Sequence, residues 1–405
     1  MNSLNLPKLV ILGGSSPFTI QLIDQFVSKN FTQVSHLVLY GRNDKRLELI
    51  ANYSRHHLTK AGWYVESNID LDNALEGAEV IIHQNRYGGL EGRLEDELFA
   101  QQFGFTADET LGPCGLKSAI RMAPCLKALA KKILALCPGA LLINLTNPLS
   151  IAVSILHHWG VKKVLGVCEL PTVTFVKVAE IIKLPASQIN WDYTGLNHRG
   201  FIYNLTFAGE TLFPKFLEKI SSSGFNGFTR TEIEDLGAIP LKYFHLFSQS
   251  HHAEGRALQV KLIGDRIIRE LSLKTNLSPE SLKDRNMDWY EKGVIPLLNA
   301  INSMNPQPLV INMANETGIT IESKTLISKG AIETIRSAQI PVRVLKWIEI
   351  FLEHEKAVLK AALDPTPQNV KEALERDPLI RGSELAAIQQ FIIGSHQKEE
   401  EYANT

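Results

Sequence analysis

The first 170 residues alternate between short apolar runs and longer amphipathic stretches. "KLVILGGSSPFTIQLIDQF" joins an apolar run to a Gly/Ser turn and then to apolar positions near helical spacing, which predicts a buried strand, a turn and a helix. The pattern recurs as the strand "HLVLYGRN", the helix "DKRLELIANYSRHHLTKA", the helix "LDNALEGA" and the strand "EVIIHQNR". A long helix through "APCLKALAKKILALC", the strand "ALLINLTNP", the helix "LSIAVSILHHW" and the strand "KVLGVCELP" follow. Strands alternating with helices predict an α/β fold, a Rossmann-type doubly wound parallel sheet. After residue 190 the pattern changes to mixed strands such as "GFIYNLTFAG", then to helices at about 253–272, 288–303 and 339–364. This predicts a second α+β layer covering the first domain. The expected division is a dinucleotide-binding domain over 1–170, an α+β domain over 171–393 and a polar, fraying tail over 394–405.

Composition narrows the class of partner. A chain of 405 residues with 44% hydrophobic content buries a substantial core. Lys and Arg number 42 against 43 Asp and Glu, a formal charge of -1, so nothing points to nucleic acid or a membrane surface and a small-molecule ligand is expected. Four cysteines occur without a CxxC pair, and "MNSLNLPKLVILGG" lacks the basic, apolar and cleavage regions of a leader. A cytoplasmic, reduced protein is expected. No apolar run reaches the length of a membrane span.

The candidate chemistry lies at strand ends. "GGSSPFT" lacks the full GxGxxG spacing and is a weak fingerprint alone. Its context is stronger: Gly13 and Gly14 end the first strand, and Ser15 and Ser16 lead into a helix whose N-terminus suits a pyrophosphate. An ordinary strand-to-helix turn is the alternative. A nucleotide fold ends its second strand in an acid that binds the adenosine ribose, yet this chain has "LYGRN" there. Gly41 has no side chain for that task, and Arg42 either pairs with a 2′-phosphate or lies on the surface. Cys168 in "VLGVCELP" and His198 in "GLNHRGF" are the soft-ligand pair near strand ends on the side of the nucleotide turn. Taken singly, each equally fits a core cysteine and a surface histidine. Cys114, Cys125, Cys137, His245, His251 and His252 are expected to be structural.

Eight stretches carry a family likeness in order and spacing: "LVILGGSSPFT", "HQNRYGGLEGRLEDE", "ETLGPCGLKSAIRMAP", "LLINLTNP", "LGVCELP", "GLNHRGF", "RNMDWYEKGVIPLLNAI" and "INMANETGIT". With them the chain resembles, over nearly its whole length, family four of the glycoside hydrolases, the NAD-dependent, metal-requiring 6-phospho-glycosidases and their relatives. The resemblance implies a lactate dehydrogenase-like fold and a hydrolysis distinct from the two-carboxylate route. Hydride leaves sugar carbon 3 for the nicotinamide, the ketone acidifies the carbon 2 proton, a base removes it and the glycosidic oxygen is eliminated. Water then adds and the hydride returns. A divalent metal, usually manganese, stabilises the enediolate charge.

By position, the resemblance makes Cys168 and His198 the metal ligands. It makes Asn147, Glu109 and Asn197 sugar contacts, and Arg86 and Arg256 contacts to the sugar and its phosphate, where bidentate donors suit phosphate geometry. Tyr243 in "AIPLKYFHLF" becomes the base, its phenol needing a pKa lowered from the usual value near 10. Glu169 takes the acid's position. The plainer alternatives are a helix cap for Asn147, a packed aromatic for Tyr243 and surface ion pairs for the arginines. The chain also departs from the family. Gly41 replaces the ribose-binding aspartate, and Glu169 stands where the α-glycoside branch has aspartate and the β-branch asparagine. "ETLGPCG" resembles the β-branch "ETTGPGG" with Cys114 for a glycine, so the signs of anomeric preference conflict, and Cys114 and Glu169 are expected to line the pocket. The expected cofactors are NAD, with NADP as the alternative, and Mn2+ or another divalent metal. The expected partner is a sugar or sugar phosphate, and family members assemble as homodimers or homotetramers. The alternative functions are an NAD(P)-dependent hydroxyacid dehydrogenase and an inactive dinucleotide-binding sensor.

Overall fold

The first half forms six short parallel strands, five of them from runs rich in Val, Ile and Leu. They are β1 (Lys8–Leu12), β2 (His36–Tyr40), β3 (Tyr64–Asn68), β4 (Val80–His83), β5 (Leu141–Asn144) and β6 (Val164–Gly166), adjacent in the order β3-β2-β1-β4-β5-β6. The computed structural model describes residues 7–32, 34–248, 255–335, 339–380 and 385–403. His251, His252 and the start of the helix expected from 253 lie outside these.

Alternation sends successive strand residues to opposite faces, which is why unbroken apolar runs are needed here. Val10, Leu12, Val38, Ile81 and Leu142 enter one core with the helices Gly112–Leu136 and Leu149–His158. Leu9, Ile11, Leu37, Leu39, Ile82 and Ile143 enter the other with the helices Thr19–Ser28, Asp44–Leu58 and Arg256–Leu273. Strand order reverses between β1 and β4. The crevice beyond the carboxyl ends of strands at such a reversal is the usual ligand site of this architecture.

The second half supplies the expected α+β domain, but it continues the first sheet instead of forming a separate layer over it. Its strands β7 (Asn190–Leu196), β8 (Arg199–Phe207), β9 (Glu210–Thr211), β10 (Ile239–Pro240), β11 (Gln307–Ala314), β12 (Thr320–Ser328) and β13 (Ala331–Thr334) extend the same sheet, antiparallel, as β6-β11-β12-β7-β8-β10, with β13 beside β12 and β9 beside β8. The junction is Asn312 of β11 opposite Gly166 of β6. A Cβ at Gly166 would lie 2.3 Å from Leu149 Cδ2 and 2.9 Å from Asn312 Cβ, so glycine permits the approach. The open edge of β6 is thereby paired instead of exposed.

Other elements escape the sequence pattern. β3, "YVESN", buries only Val65 and alternates poorly because it is the sheet edge. The helix Gly89–Phe103 is rich in charge and begins with glycines. The tail expected to fray is instead helical over Leu385–Ala403, consistent with the strong helix formers in "QKEEEYA". Among the described residues no helix is long and apolar enough to cross a membrane.

Candidate active site

The turn expected to bind a nucleotide follows β1. Gly13 and Gly14 both donate backbone N–H bonds to Tyr40 O, at 3.1 and 2.7 Å, which folds the chain tightly over the end of β2. Gly13 has φ +92°, and a Cβ at Gly14 would lie 2.9 Å from Leu39 Cβ, so both positions need glycine. Ser15 and Ser16 complete the turn, with Ser16 N donating to Gly13 O at 2.9 Å. No side chain caps the start of the helix Thr19–Ser28. An uncapped helix N-terminus behind a glycine turn fits a dinucleotide pyrophosphate. Arg42 lies exposed just past the end of β2.

The β7–β8 hairpin carries the second cluster to the end of β6. Gly195 and Gly200 face each other, and a Cβ on Gly195 would lie 2.3 Å from Gly200 Cα. This close pairing ends in the two-residue tip Asn197-His198, where His198 has φ +66°. A non-glycine residue in that region is held there by its surroundings. Burial pushes the His198 imidazole down to about 3, so it is neutral and keeps a lone pair. His198 Nδ1 and Asn197 Oδ1 are both buried without a hydrogen-bond partner among the described residues. Burial, then Glu169 and Glu322, raises the Cys168 thiol well above its ordinary value, while the Asn197 side chain acts against this. Two orphaned acceptors beside a thiol that ionises only with help fit a cation. Among the described residues no three His, Cys, Asp or Glu side chains converge as a ligand group. A metal held by Cys168 and His198 would have two protein ligands and leave positions for substrate oxygens.

Behind the hairpin lies Glu322, which the sequence pattern did not single out. Its carboxylate accepts from Tyr193 Oη, from Asn312 Nδ2 at 2.7 Å and from Asn197 Nδ2 at 3.4 Å. It thereby orients Asn197. Burial raises Glu322 to about 7.

Tyr243 sits in the turn Lys242–Phe244 after β10, with its ring stacked on His198 at 4.0 Å between centroids and 6° between planes. Burial, then the charges of Asp108, Cys168, Glu109 and Glu169, pushes its phenol well above the usual value. Burial and then Asp288 raise Glu169, a shift that favours a protonated carboxyl. The Cys168 Sγ–H donates to Glu169 Oε2 at 3.9 Å. Cys114 does not line this cleft. It is fully buried in the core and donates to Asp96 O at 3.1 Å, because its helix turns that face inward.

A third cluster gathers guanidinium groups. Arg86 bonds Glu109, Arg93 stands 3.9 Å from the same carboxylate, and Asn147 Nδ2 donates to Glu109 Oε1 at 3.2 Å. Against its burial, Arg86 and Arg93 hold Glu109 well below the carboxylate range. Asn147 does not cap the following helix, whose N-cap is Pro148. Arg256 donates to Gln259 Oε1 at 2.7 Å. Arg285, inside "RNMDWYEKG", was not singled out by sequence. Its guanidinium lies 4.4 Å from the Phe18 ring centroid and 5.7 Å from that of Trp289. Burial, then Arg256 and Arg86, pushes it down to about 10, and no carboxylate among the described residues pairs with it. The aromatic residues near Arg285 in sequence were the available signal. The structure thus brings together Cys168, Glu169, His198, Asn197 and Tyr243, with Glu109 linking them to Arg86 and Asn147.

Two family models and several known proteins match the chain over nearly its whole length. The family 4 glycosyl hydrolase model matches residues 8–184, and the family 4 glycosyl hydrolase C-terminal domain model matches residues 193–380. The chain is 24% identical to the probable 6-phospho-β-glucosidase of Bacillus subtilis, over 94% of this chain and 93% of that protein. Its fold is similar to the 6-phospho-β-glucosidase from Thermotoga maritima solved with NAD and glucose-6-phosphate, at TM-score 0.85 and 20% identity, covering 97% of this chain and 99% of that one. It is similar too to a 6-phospho-α-glucosidase from gut microorganisms solved with NAD and Mn2+, at TM-score 0.83 and 20% identity, covering 97% and 98%.

Proposed function

The chain belongs to family 4 of the glycosyl hydrolases, and from that premise we propose that it cleaves 6-phosphorylated glycosides by redox-neutral oxidation, elimination, addition and reduction. The observation that carries the phosphate is Arg285, a half-buried guanidinium with no carboxylate partner among the described residues, set beside Arg86 and Arg256. Like charges are gathered in this way where an anion will neutralise them. Family models over both halves of the chain favour a glycosidase over a hydroxyacid dehydrogenase or a sensor. The neighbours bound to NAD and Mn2+ support a dinucleotide and a divalent ion here.

A bound dinucleotide supplies a reversible hydride acceptor for carbon 3, and a divalent ion supplies positive charge where the enediolate develops. Cys168 and His198 would hold the ion, and the Gly13–Ser16 turn the pyrophosphate. Tyr243 takes the carbon 2 proton, and Glu169, raised by burial, gives a proton to the leaving oxygen. Glu109, Asn147, Asn197 and Arg86 orient the sugar hydroxyls, while Arg256 and Arg285 hold the phosphate. Four cysteines without a CxxC pair, one of them a candidate metal ligand, support a cytoplasmic location. Leu94, Leu98, Leu258 and Leu262, exposed on two adjoining helices, support assembly into a homodimer or homotetramer.

Kinetics with nitrophenyl α- and β-glycosides, with and without a 6-phosphate, in the presence of dinucleotide, manganese and a thiol reductant, test the substrate class. The phosphorylated compound of one anomer should be preferred by about 100-fold in kcat/KM or more, and Arg285→Met should raise KM for it by about 10-fold or more. Equal use of both classes would remove the phosphate from this account. For the acid, Glu169→Gln should slow alkyl glycosides by about 10²-fold or more while changing nitrophenyl glycosides little, because nitrophenolate leaves without a proton. Equal slowing of both would make Glu169 a residue that orients Cys168.

A further inference from the structure

We infer that the adenosine end of the dinucleotide site is built for a 2′-phosphate, so that this chain takes NADP in preference to NAD. The inference rests on the Gly13–Ser16 turn being a dinucleotide site. In a doubly wound sheet the residue ending β2 stands beside the adenosine ribose. An acid there binds the hydroxyls and repels a 2′-phosphate, whereas an arginine beside that position accommodates the phosphate.

β2 ends at Tyr40 and is followed by Gly41. More than an acid is missing, because the space for any side chain is filled. A Cβ on Gly41 would lie 2.6 Å from Ser15 Oγ and 2.7 Å from Ser15 Cβ. Ser15 comes from the phosphate-binding turn itself, so the serine and the glycine exclude an acid together. The Ser15 hydroxyl has no hydrogen-bond partner among the described residues and is free to donate to a phosphate oxygen. Arg42, next in the chain, is exposed and has no ion-pair partner among the described residues, and its charge is felt by the Tyr87 phenol.

Its neighbours leave it that role. Asn43 Oδ1 is occupied by Arg46 N at 3.0 Å, and the Arg46 guanidinium is tied to Asp265 at 3.0 Å. Asn68, which ends the adjacent β3, is neutral, and Asp70 turns its carboxylate onto Asp72 N and Asn73 N. Asp44, exposed in the first turn of the following helix, is the remaining acid close in sequence. A free guanidinium, a free hydroxyl and a closed acid position match a phosphate monoester and give the two ribose hydroxyls of NAD no carboxylate.

Calorimetric titration of the full-length protein with NADP and with NAD, without metal or sugar, tests this without reference to turnover. NADP should bind at least about 10-fold more tightly, and Arg42→Ala should weaken NADP by about 10- to 100-fold while changing NAD by less than about threefold. The paired variant Ser15→Gly/Gly41→Asp, which clears the space before adding the acid, should reverse the preference. Arg42→Ala alters only an exposed side chain, so it decides the matter even where the paired variant does not fold. NAD binding equal to or tighter than NADP, or equal loss of both in Arg42→Ala, would overturn the 2′-phosphate site and leave the dinucleotide site standing. Binding of neither would overturn both.

Discussion

Cys168→Ser and His198→Ala should each lower kcat/KM by about 10³-fold or more while leaving dinucleotide affinity within about twofold. The two proposed ligands lie at the end of β6 and at the β7–β8 hairpin tip, whereas the proposed dinucleotide turn follows β1. Burial keeps His198 neutral to about 3, so its lone pair is available at any working pH. Cys168 is the opposite case, a thiol whose proton is lost only to a cation. Removing either leaves one ligand and the Asn197 carbonyl, too little to hold a divalent ion tightly. Manganese binding followed by its electron paramagnetic resonance signal should be lost in both variants and retained in Glu169→Gln. Full activity of Cys168→Ser after exhaustive chelation would remove the metal site.

Tyr243→Phe should lower turnover by about 10²- to 10⁴-fold, the usual share of a positioned acid or base. The substitution removes one oxygen and leaves the ring stacked on His198, so metal and dinucleotide affinities should stay within about twofold. In the protein without cation, burial and then the charges of Asp108, Cys168, Glu109 and Glu169 favour the neutral phenol. As the proposed base, Tyr243 would become competent only when positive charge enters beside it, which would couple proton removal to metal loading. Exchange of the carbon 2 proton with solvent should fall in step with turnover. Unchanged exchange would assign the base to another group.

Most of the first half was legible because parallel strands buried on both faces need uninterrupted Val, Ile and Leu, and "KLVIL", "VIIH" and "LLIN" supply them. β3 was not legible, since an exposed edge makes no such demand. The second half supplied strands but not their placement, because nothing local records that β11 pairs with β6 through Gly166 and Asn312. Cys168 and His198 could be named from motif and strand ends. That their neighbours would include an Asn197 whose Nδ2 donates to Glu322, leaving Oδ1 without a partner among the described residues, depends on β12, which lies far along the chain. Arg285 was hidden for the same reason: its meaning is the lack of a carboxylate partner among the described residues, which only packing reveals. Gly41 was legible as a missing acid, and the structure adds that Ser15 fills the gap.

The most direct test of the central claim is turnover of a protiated 6-phospho-glycoside in D2O, with the sugar product read by NMR and the dinucleotide by absorbance. The account predicts deuterium at carbon 2, protium kept at carbon 3 and no net reduced dinucleotide. Product without deuterium at carbon 2, or reduced dinucleotide accumulating in proportion to substrate consumed, would contradict it.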